Sequence, residues 1–256
     1  MLKSNKSIGC TFSNVLMMIN MKIITLFLTL ICVFGFTSYA QEESDVTNQL
    51  WLDYYFYYLP KEGIQLTGDL GYRNRFSARE WNQFIARGSV LYRYKSWLSL
   101  FGGFGFFFTE QKEITNTLEI RPWIGAMFIL NADLFSQTRF TNLTRIEDRF
   151  VINTQESGTS NDIRLRNRTD VRIPINNYLL IDNTVYLRFE IEVFTNTKNI
   201  TEQLADKLRV AAGIGYKFNY EWRIEIDFYV QRLKNTTEAG FSITDNIWRF
   251  GLRHYW

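Results

Sequence analysis

Hydrophobic and polar residues alternate with a period of two along most of the chain after residue 40, and turn residues interrupt this alternation at short intervals. A period of two is typical of β-strands with one apolar and one polar face, whereas an amphipathic helix repeats every ~3.6 residues. No convincing helical pattern occurs after residue 40. The pattern predicts an all-β protein with eleven strand segments, at about 48–58, 64–76, 83–94, 97–108, 116–129, 134–150, 161–173, 178–194, 204–218, 222–232 and 243–256.

The connections between these segments alternate in length. Tight connections are predicted at 95–96, 131–133, 174–177 and 219–220, and longer polar ones at 109–115, 152–160, 195–203 and 233–242. Outer-membrane barrels alternate short turns with longer loops in this way, and single-chain bacterial barrels have an even number of strands. We therefore predict one transmembrane antiparallel β-barrel over residues 41–256, of about 10–12 strands, with twelve favoured and ten kept open. A soluble, lipocalin-like barrel is the rival fold, and the apolar face formed by Ile224, Ile226 and Phe228 argues against it.

Charged residues occupy one face of several segments, as in 161–173, where arginine alternates with Ile163 and Leu165. Arginine or lysine on a lipid-facing surface costs about 2–4 kcal/mol near the bilayer midplane, so this face is predicted to point into the barrel. In 97–108, Gly103 and Gly105 are expected to leave room inside. The candidate lining residues are Glu119, Arg121, Arg145, Glu147, Arg149, Arg164, Arg166, Arg168, Asp170, Arg172, Arg188, Glu190, Glu192, Arg223 and Glu225, and Arg139, Arg209 and Asp227 belong to the same ladder.

Two interpretations of this ladder stay open. Rings of arginine in a pore favour anions. The eleven arginines and seven acids of the ladder therefore predict a small channel or transport-related barrel with a weak preference for anions such as phosphate, carboxylates or acidic sugars. Small barrels also fill their interiors with side chains, so the same charges can pair into a solid polar core. Such a barrel would be a non-conducting structural or interaction protein that acts through its outer loops, 152–160 and 233–242.

The last segment ends on a large aromatic residue. Trp248, Phe250 and Leu252 alternate down to the final Trp256, and such an ending is typical of the strand by which the barrel-assembly machinery recognises its substrates. Aromatic residues also recur near the predicted strand ends, where amphipathic rings settle at membrane interfaces. We therefore predict the outer membrane of a Gram-negative bacterium, with outer-membrane lipid and the assembly machinery as partners and a small anionic solute as a further partner.

The first forty residues have the character of a leader. Lys22 precedes an apolar run over 23–36, and the small residues Ser38 and Ala40 complete a signal peptide over 21–40, with cleavage predicted after Ala40. Residues 1–20 precede this signal and are interpreted as a mis-assigned start or an extended leader. Both cysteines, Cys10 and Cys32, lie before the cleavage site, so the mature chain is predicted to have no thiol chemistry.

Composition excludes several classes of function. Three of the 29 basic residues and none of the 26 acidic residues lie before residue 41, so the mature chain has 26 of each and lacks the basic footprint of a nucleic-acid-binding protein. The one histidine, His254, is expected to face lipid at the periplasmic rim, so we predict no catalytic site and keep a lipid-modifying enzyme as the third alternative. No cofactor or metal is predicted. The carboxylate pair Glu190 and Glu192 has a spacing that could bind a cation, but the adjoining Arg188 favours an ion pair there instead.

Three short segments carry a resemblance to a known family. They are acid-x-Arg-Pro-Trp within 117–123, Arg-x-Glu-x-Arg-Phe at 145–150 and Arg-x-Arg-x-Arg at 164–168. With these elements the chain resembles, over most of 45–256, an uncharacterised Bacteroidota outer-membrane β-barrel family, domain of unknown function 2490. The resemblance implies a Gram-negative outer-membrane barrel without an assigned activity, and it offers no catalytic residue to carry over.

Overall fold

The computed structural model describes residues 46–76, 80–112, 115–132, 138–154, 158–196, 207–234 and 241–256. The predictions made for residues 1–40 fall outside these ranges and stay predictions. No stretch within the described ranges forms a helix long and apolar enough to cross a membrane. The strands are β1 (Thr47–Lys61), β2 (Ile64–Arg75), β3 (Trp81–Lys95), β4 (Leu98–Gln111), β5 (Thr117–Ala132), β6 (Thr138–Asn153), β7 (Thr159–Pro174), β8 (Thr184–Asn196), β9 (Lys207–Lys217), β10 (Trp222–Lys234) and β11 (Phe241–Tyr255).

These strands close into one barrel. Each strand pairs antiparallel with the next in sequence, and β1 pairs with β11 in parallel, from Thr47 opposite Asp245 to Tyr57 opposite Tyr255. The predicted all-β barrel of about 10–12 strands is confirmed, with eleven strands, whereas the preference for an even count of twelve or ten is wrong. The segment predicted at 178–194 becomes a strand only from Thr184. An even count follows from the assumption that the first and last strands also meet antiparallel, and the parallel closure removes that requirement.

The two ends of the barrel differ in the connections they carry. We call turn end the end with the connections β1–β2, β3–β4, β5–β6, β7–β8 and β9–β10, and loop end the opposite one. The predicted tight turn at 174–177 is wrong, because the chain is not in a strand again until Thr184. The Asn176 side chain donates to the Asn183 carbonyl at 3.0 Å and accepts from the Val185 backbone N–H at 2.8 Å. These bonds satisfy backbone groups that a tighter hairpin would have paired.

The barrel is polar inside and apolar outside. The outward set includes Leu70, Ile124 and Ile191, with 56%, 70% and 53% of their surfaces exposed. Among the described residues, twenty-two buried side chains are polar or charged and ten are hydrophobic. A soluble protein buries chiefly apolar residues, so the distribution in this barrel is inverted.

The space beside the glycines of β4 is occupied by side chains and backbone of neighbouring strands. A Cβ atom on Gly105 would lie 2.7 Å from Cγ of Arg87 and 3.2 Å from the ring of Trp123. A Cβ on Gly103 would meet Ser89 and the backbone of Gly88. The expectation of free space at Gly103 and Gly105 is therefore wrong, because neighbouring strands fill it.

Candidate functional site

The charged interior is the candidate site, and the structure places all fifteen candidate lining residues on the inward side of their strands. Ten of them are buried and five are half-buried. The buried ones are Glu119, Arg121, Arg145, Glu147, Arg166, Asp170, Arg188, Glu190, Glu192 and Glu225. The half-buried ones are Arg149, Arg164, Arg168, Arg172 and Arg223.

One group of ion pairs surrounds Glu147 on β6. This carboxylate has no exposed surface and lies 2.5 Å from Nε of Arg145 and within ion-pair distance of Arg164. Arg166 and Arg121 approach the same carboxylate at 3.6 and 3.9 Å. Four guanidinium groups thus share one carboxylate, which leaves net positive charge around it.

Glu119 and Glu192 lie on either side of that group. Glu119 on β5 accepts from Arg121 at 2.7 Å and from Arg149 at 2.6 Å. Glu192 on β8 pairs with Arg166 and, at 3.2 Å, with Arg209. Arginine suits such shared contacts because its planar group donates several hydrogen bonds in fixed directions and stays charged where water is scarce.

A second group of ion pairs centres on Arg188 of β8, which is 2% exposed. It pairs with Asp170 at 2.6 Å, with Glu190, and with Asp227 at 3.0 Å. Arg249 continues the group by pairing with Asp227 at 2.5 Å. The group therefore links four strands, β7, β8, β10 and β11, through one set of charges.

Small residues on β9 allow this group to form. Gly213 and Gly215 lie on the inner face of β9, between β8 and β10. A Cβ on Gly213 would overlap the Asp227 carboxylate, and a Cβ on Gly215 would overlap the ring of Tyr186. Tyr186 passes over this gap and donates to Glu225 at 2.9 Å. Side chains of β8 therefore reach β10 directly, across the intervening strand.

Two cavities occupy the interior, one toward each end. The loop-end chamber measures about 240 Å³, and the described residues lining it include ten arginines and lysines and four acids. The turn-end chamber measures about 380 Å³, and the described residues lining it include ten arginines and two acids. Both chambers therefore have an excess of positive charge, which the ion pairs reduce without removing.

The two chambers share one layer of side chains. Tyr55, Arg87, Arg166 and Arg168 line both cavities, so we call them the dividing layer. Arg87 is held by Asp69 at 2.5 Å and Arg166 by Glu192. Arg168 makes no ion pair or hydrogen bond with any part of the chain that the structure describes. The layer thus combines two ion-paired cations with a third that forms no ion pair in the described part of the chain.

Several interior residues were missed by the sequence reasoning. Arg87, Arg249 and Arg253 are anchored by Asp69, Asp227 and Glu225, as firmly as the predicted arginines. For β11 the sequence-based prediction covered only the outward aromatic positions and not the alternate, inward positions. Their spacing, Asp245, Ile247, Arg249, Gly251 and Arg253, is the signal that would have identified them.

The predicted insertion residues lie on the outside or at the end of β11. Trp248, Phe250, Leu252 and Trp256 are exposed, and Trp256 stacks with Phe56 of β1 at 6.5 Å between ring centroids. His254 lies among the outward aromatics, stacked on Trp222 at 3.9 Å and hydrogen-bonded to Tyr54 at 2.9 Å. The imidazole therefore lies apart from the charged interior. Recognition of the predicted insertion residues of β11 by an assembly machinery stays a prediction.

Within the described ranges, no group of three or more His, Cys, Asp or Glu residues could hold a metal ion.

No curated protein and no solved structure matches the chain. The family model described as Protein of unknown function (DUF2490) matches residues 48–241, which is more than half of the chain and confirms the family inferred from the three motifs. The chain belongs to the DUF2490 family.

Proposed function

We propose that the barrel spans the outer membrane of a Gram-negative bacterium. Two observations support this location. The outward faces carry exposed apolar residues on every side of the barrel, whereas the arginines and acids of the ladder point inward. The strands are 11 to 16 residues long, and a spanning β-strand needs about 9–11 residues. The proposal predicts that the protein fractionates with outer membranes and migrates faster on gels when unheated.

We propose further that the barrel is a narrow pathway for small anions. The observation that carries this proposal is the arrangement of the two chambers, which lie toward opposite ends of the barrel and share the dividing layer. An anion that enters either chamber meets an excess of arginine, and at the dividing layer it meets Arg87, Arg166 and Arg168. Arginine rings favour anions over cations in pores.

Arg168 is the residue on which the selectivity is expected to depend most. It forms no ion pair within the described ranges, although Glu192 lies opposite it on β8, whereas Arg87 and Arg166 each pair with a carboxylate. A unit charge about 4 Å from an ion contributes about 1 kcal/mol even at the dielectric constant of water. Loss of that charge is expected to lower the anion permeability by about fivefold, and the anion-to-cation permeability ratio is expected to fall by at least that factor.

The test is single-channel recording of refolded residues 41–256 in a planar bilayer under a salt gradient. The proposal expects steady steps with a reversal potential that indicates anion preference, and a smaller preference in Arg168→Gln. Arg232→Gln is the matched control, because Arg232 is an exposed arginine of β10. Cation preference, or an equal change in both variants, contradicts the anion pathway.

A correctly folded barrel that conducts nothing would instead favour the packed-core alternative. The ion pairs around Glu147 and Arg188 are the observation behind this second candidate, because they join inward charges of neighbouring strands into paired groups. The function would then belong to the segments at the loop end. We propose no catalytic role in either case, since His254 lies among outward aromatic residues.

A further inference from the structure

The turn-end chamber contains an arginine cluster that the ion-pair groups do not neutralise. Arg139 of β6 and Arg172 of β7 occupy directly opposing positions in the antiparallel pair, and Arg223 of β10 lines the same chamber. Like charges that face each other across two strands destabilise the pairing. The arrangement is therefore unfavourable unless negative charge lies between these groups.

Acids supply only part of that charge. Arg172 pairs with Asp170 at 3.2 Å and approaches Glu225 at 3.5 Å. Arg139 makes no ion pair or hydrogen bond with any residue in the described ranges. Arg223 makes none either: its guanidinium lies 4.5 Å above the ring of Tyr255, and its buried Nε has no acceptor. Arg172 and Arg223 are also among the groups whose charges act most strongly on Arg139.

We propose that Arg139, Arg172 and Arg223 form a binding site for an oxyanion of the phosphate class, either free phosphate or a phosphate monoester on a larger molecule. Phosphate carries about two negative charges near neutral pH and several acceptor oxygens, and the planar fork of arginine matches those oxygens. The chamber volume of about 380 Å³ is at the lower end of small-molecule pockets, which leaves room for an organic substituent. Arg139 is exposed at the mouth, so a ligand can reach the cluster from the turn end.

This inference deepens the proposed anion pathway and rests on the same chamber, yet binding and conduction are separate measurements. Binding without conduction would uphold the site and remove the pathway. Conduction without binding would do the reverse.

The experiment is calorimetric titration of the full chain, purified in detergent, with inorganic phosphate in a background of constant ionic strength. A second arm uses short-chain phosphatidic acid, which presents the same chemistry as a lipid headgroup. Wild-type protein is expected to bind at least one probe, and the probe that binds identifies the source. Arg139→Gln and Arg223→Gln are each expected to weaken that binding about tenfold, because each removes one charge-assisted contact. Arg232→Gln, which removes an exposed arginine of β10, is expected to leave it unchanged.

Absence of wild-type binding to both probes overturns the proposal, as does equal weakening in all three variants. If the chamber variants do not fold, the urea midpoint of the wild type decides. A ligand that binds only the folded barrel raises this midpoint. Phosphate is therefore expected to raise it relative to chloride at equal ionic strength, and an unchanged midpoint with both probes refutes the site.

Discussion

Substitution of Gly213 would test whether the contacts between β8 and β10 hold the barrel together. A Cβ at this position would overlap Oδ1 of Asp227 and lie 2.6 Å from the backbone oxygen of Ile226. Asp227 pairs there with Arg188 at 3.0 Å and with Arg249 at 2.5 Å. Gly213→Ala must therefore displace a carboxylate that forms ion pairs with two buried guanidinium groups.

The expected loss of stability has two parts. Extra atoms in a packed interior cost about 1–3 kcal/mol, and a weakened hydrogen bond between charged groups costs about 1.5–3 kcal/mol. Arg188 keeps Asp170 and Glu190 as partners, which limits the second part. We expect Gly213→Ala to lower the free energy of unfolding by about 2–4 kcal/mol.

The assay is urea unfolding of the refolded barrel in detergent, followed by tryptophan fluorescence. With a slope of about 2–3 kcal/mol per molar urea, the midpoint is expected to fall by about 1 M. Gly88→Ala is the matched control, because a Cβ on Gly88 has no atom within 4 Å. In an Asp227→Ala background the penalty of Gly213→Ala should shrink, because the overlapping carboxylate is gone. Equal midpoints for Gly213→Ala and Gly88→Ala would refute the reasoning.

Two further variants probe the interior and the closing strand. Glu147→Gln removes the carboxylate that four arginines share and is expected to lower the free energy of unfolding in urea by about 3–5 kcal/mol. Glu80 forms an exposed ion pair with Lys112 at 3.0 Å, so the control Glu80→Gln should lower it by less than about 1 kcal/mol. Similar losses in the two variants would contradict the interior network. Trp256→Ala is expected to reduce the fraction of heat-modifiable, assembled barrel in cells, with the exposed turn variant Tyr220→Ala as control. Unchanged assembly in Trp256→Ala would exclude the insertion role.

The sequence predicts the strands well because each strand is amphipathic by itself. Alternation in 161–173 and 222–232 depends only on neighbouring residues, and the inward charges of β7 and β10 follow from it. Closure depends instead on residues far apart in the chain, such as Gln49, whose amide donates to Asp245 at 2.7 Å. The periodicity carries no information on whether the first and last strands meet in parallel, so the expectation of an even strand count was wrong although eleven segments were identified.

The ion-pair partners of the inward charges could not be predicted from the sequence for a related reason. The reach of Arg188 and Tyr186 over β9 depends on Gly213 and Gly215, which contribute no side chain to a pattern of polar and apolar positions. The opposition of Arg139 and Arg172 depends on the register of β6 and β7, which a single strand does not reveal. Identity of the inward residues was therefore accessible from the sequence, and their partners were not.

The parallel closure of β1 and β11 also determines at which end of the barrel β1 begins and β11 ends. Because both strands run in the same direction, the residue before Thr47 leaves at the loop end and the residue after Tyr255 at the turn end. In an even-stranded antiparallel barrel the first strand would begin and the last strand would end at the same end of the barrel. A linker that joins Tyr255 to Thr47 in a circular permutant would thus have to run the full height of the wall, on the order of 40 Å for two strands of 15 residues each. In a membrane, tags inserted directly before Thr47 and directly after Trp256 would face different compartments.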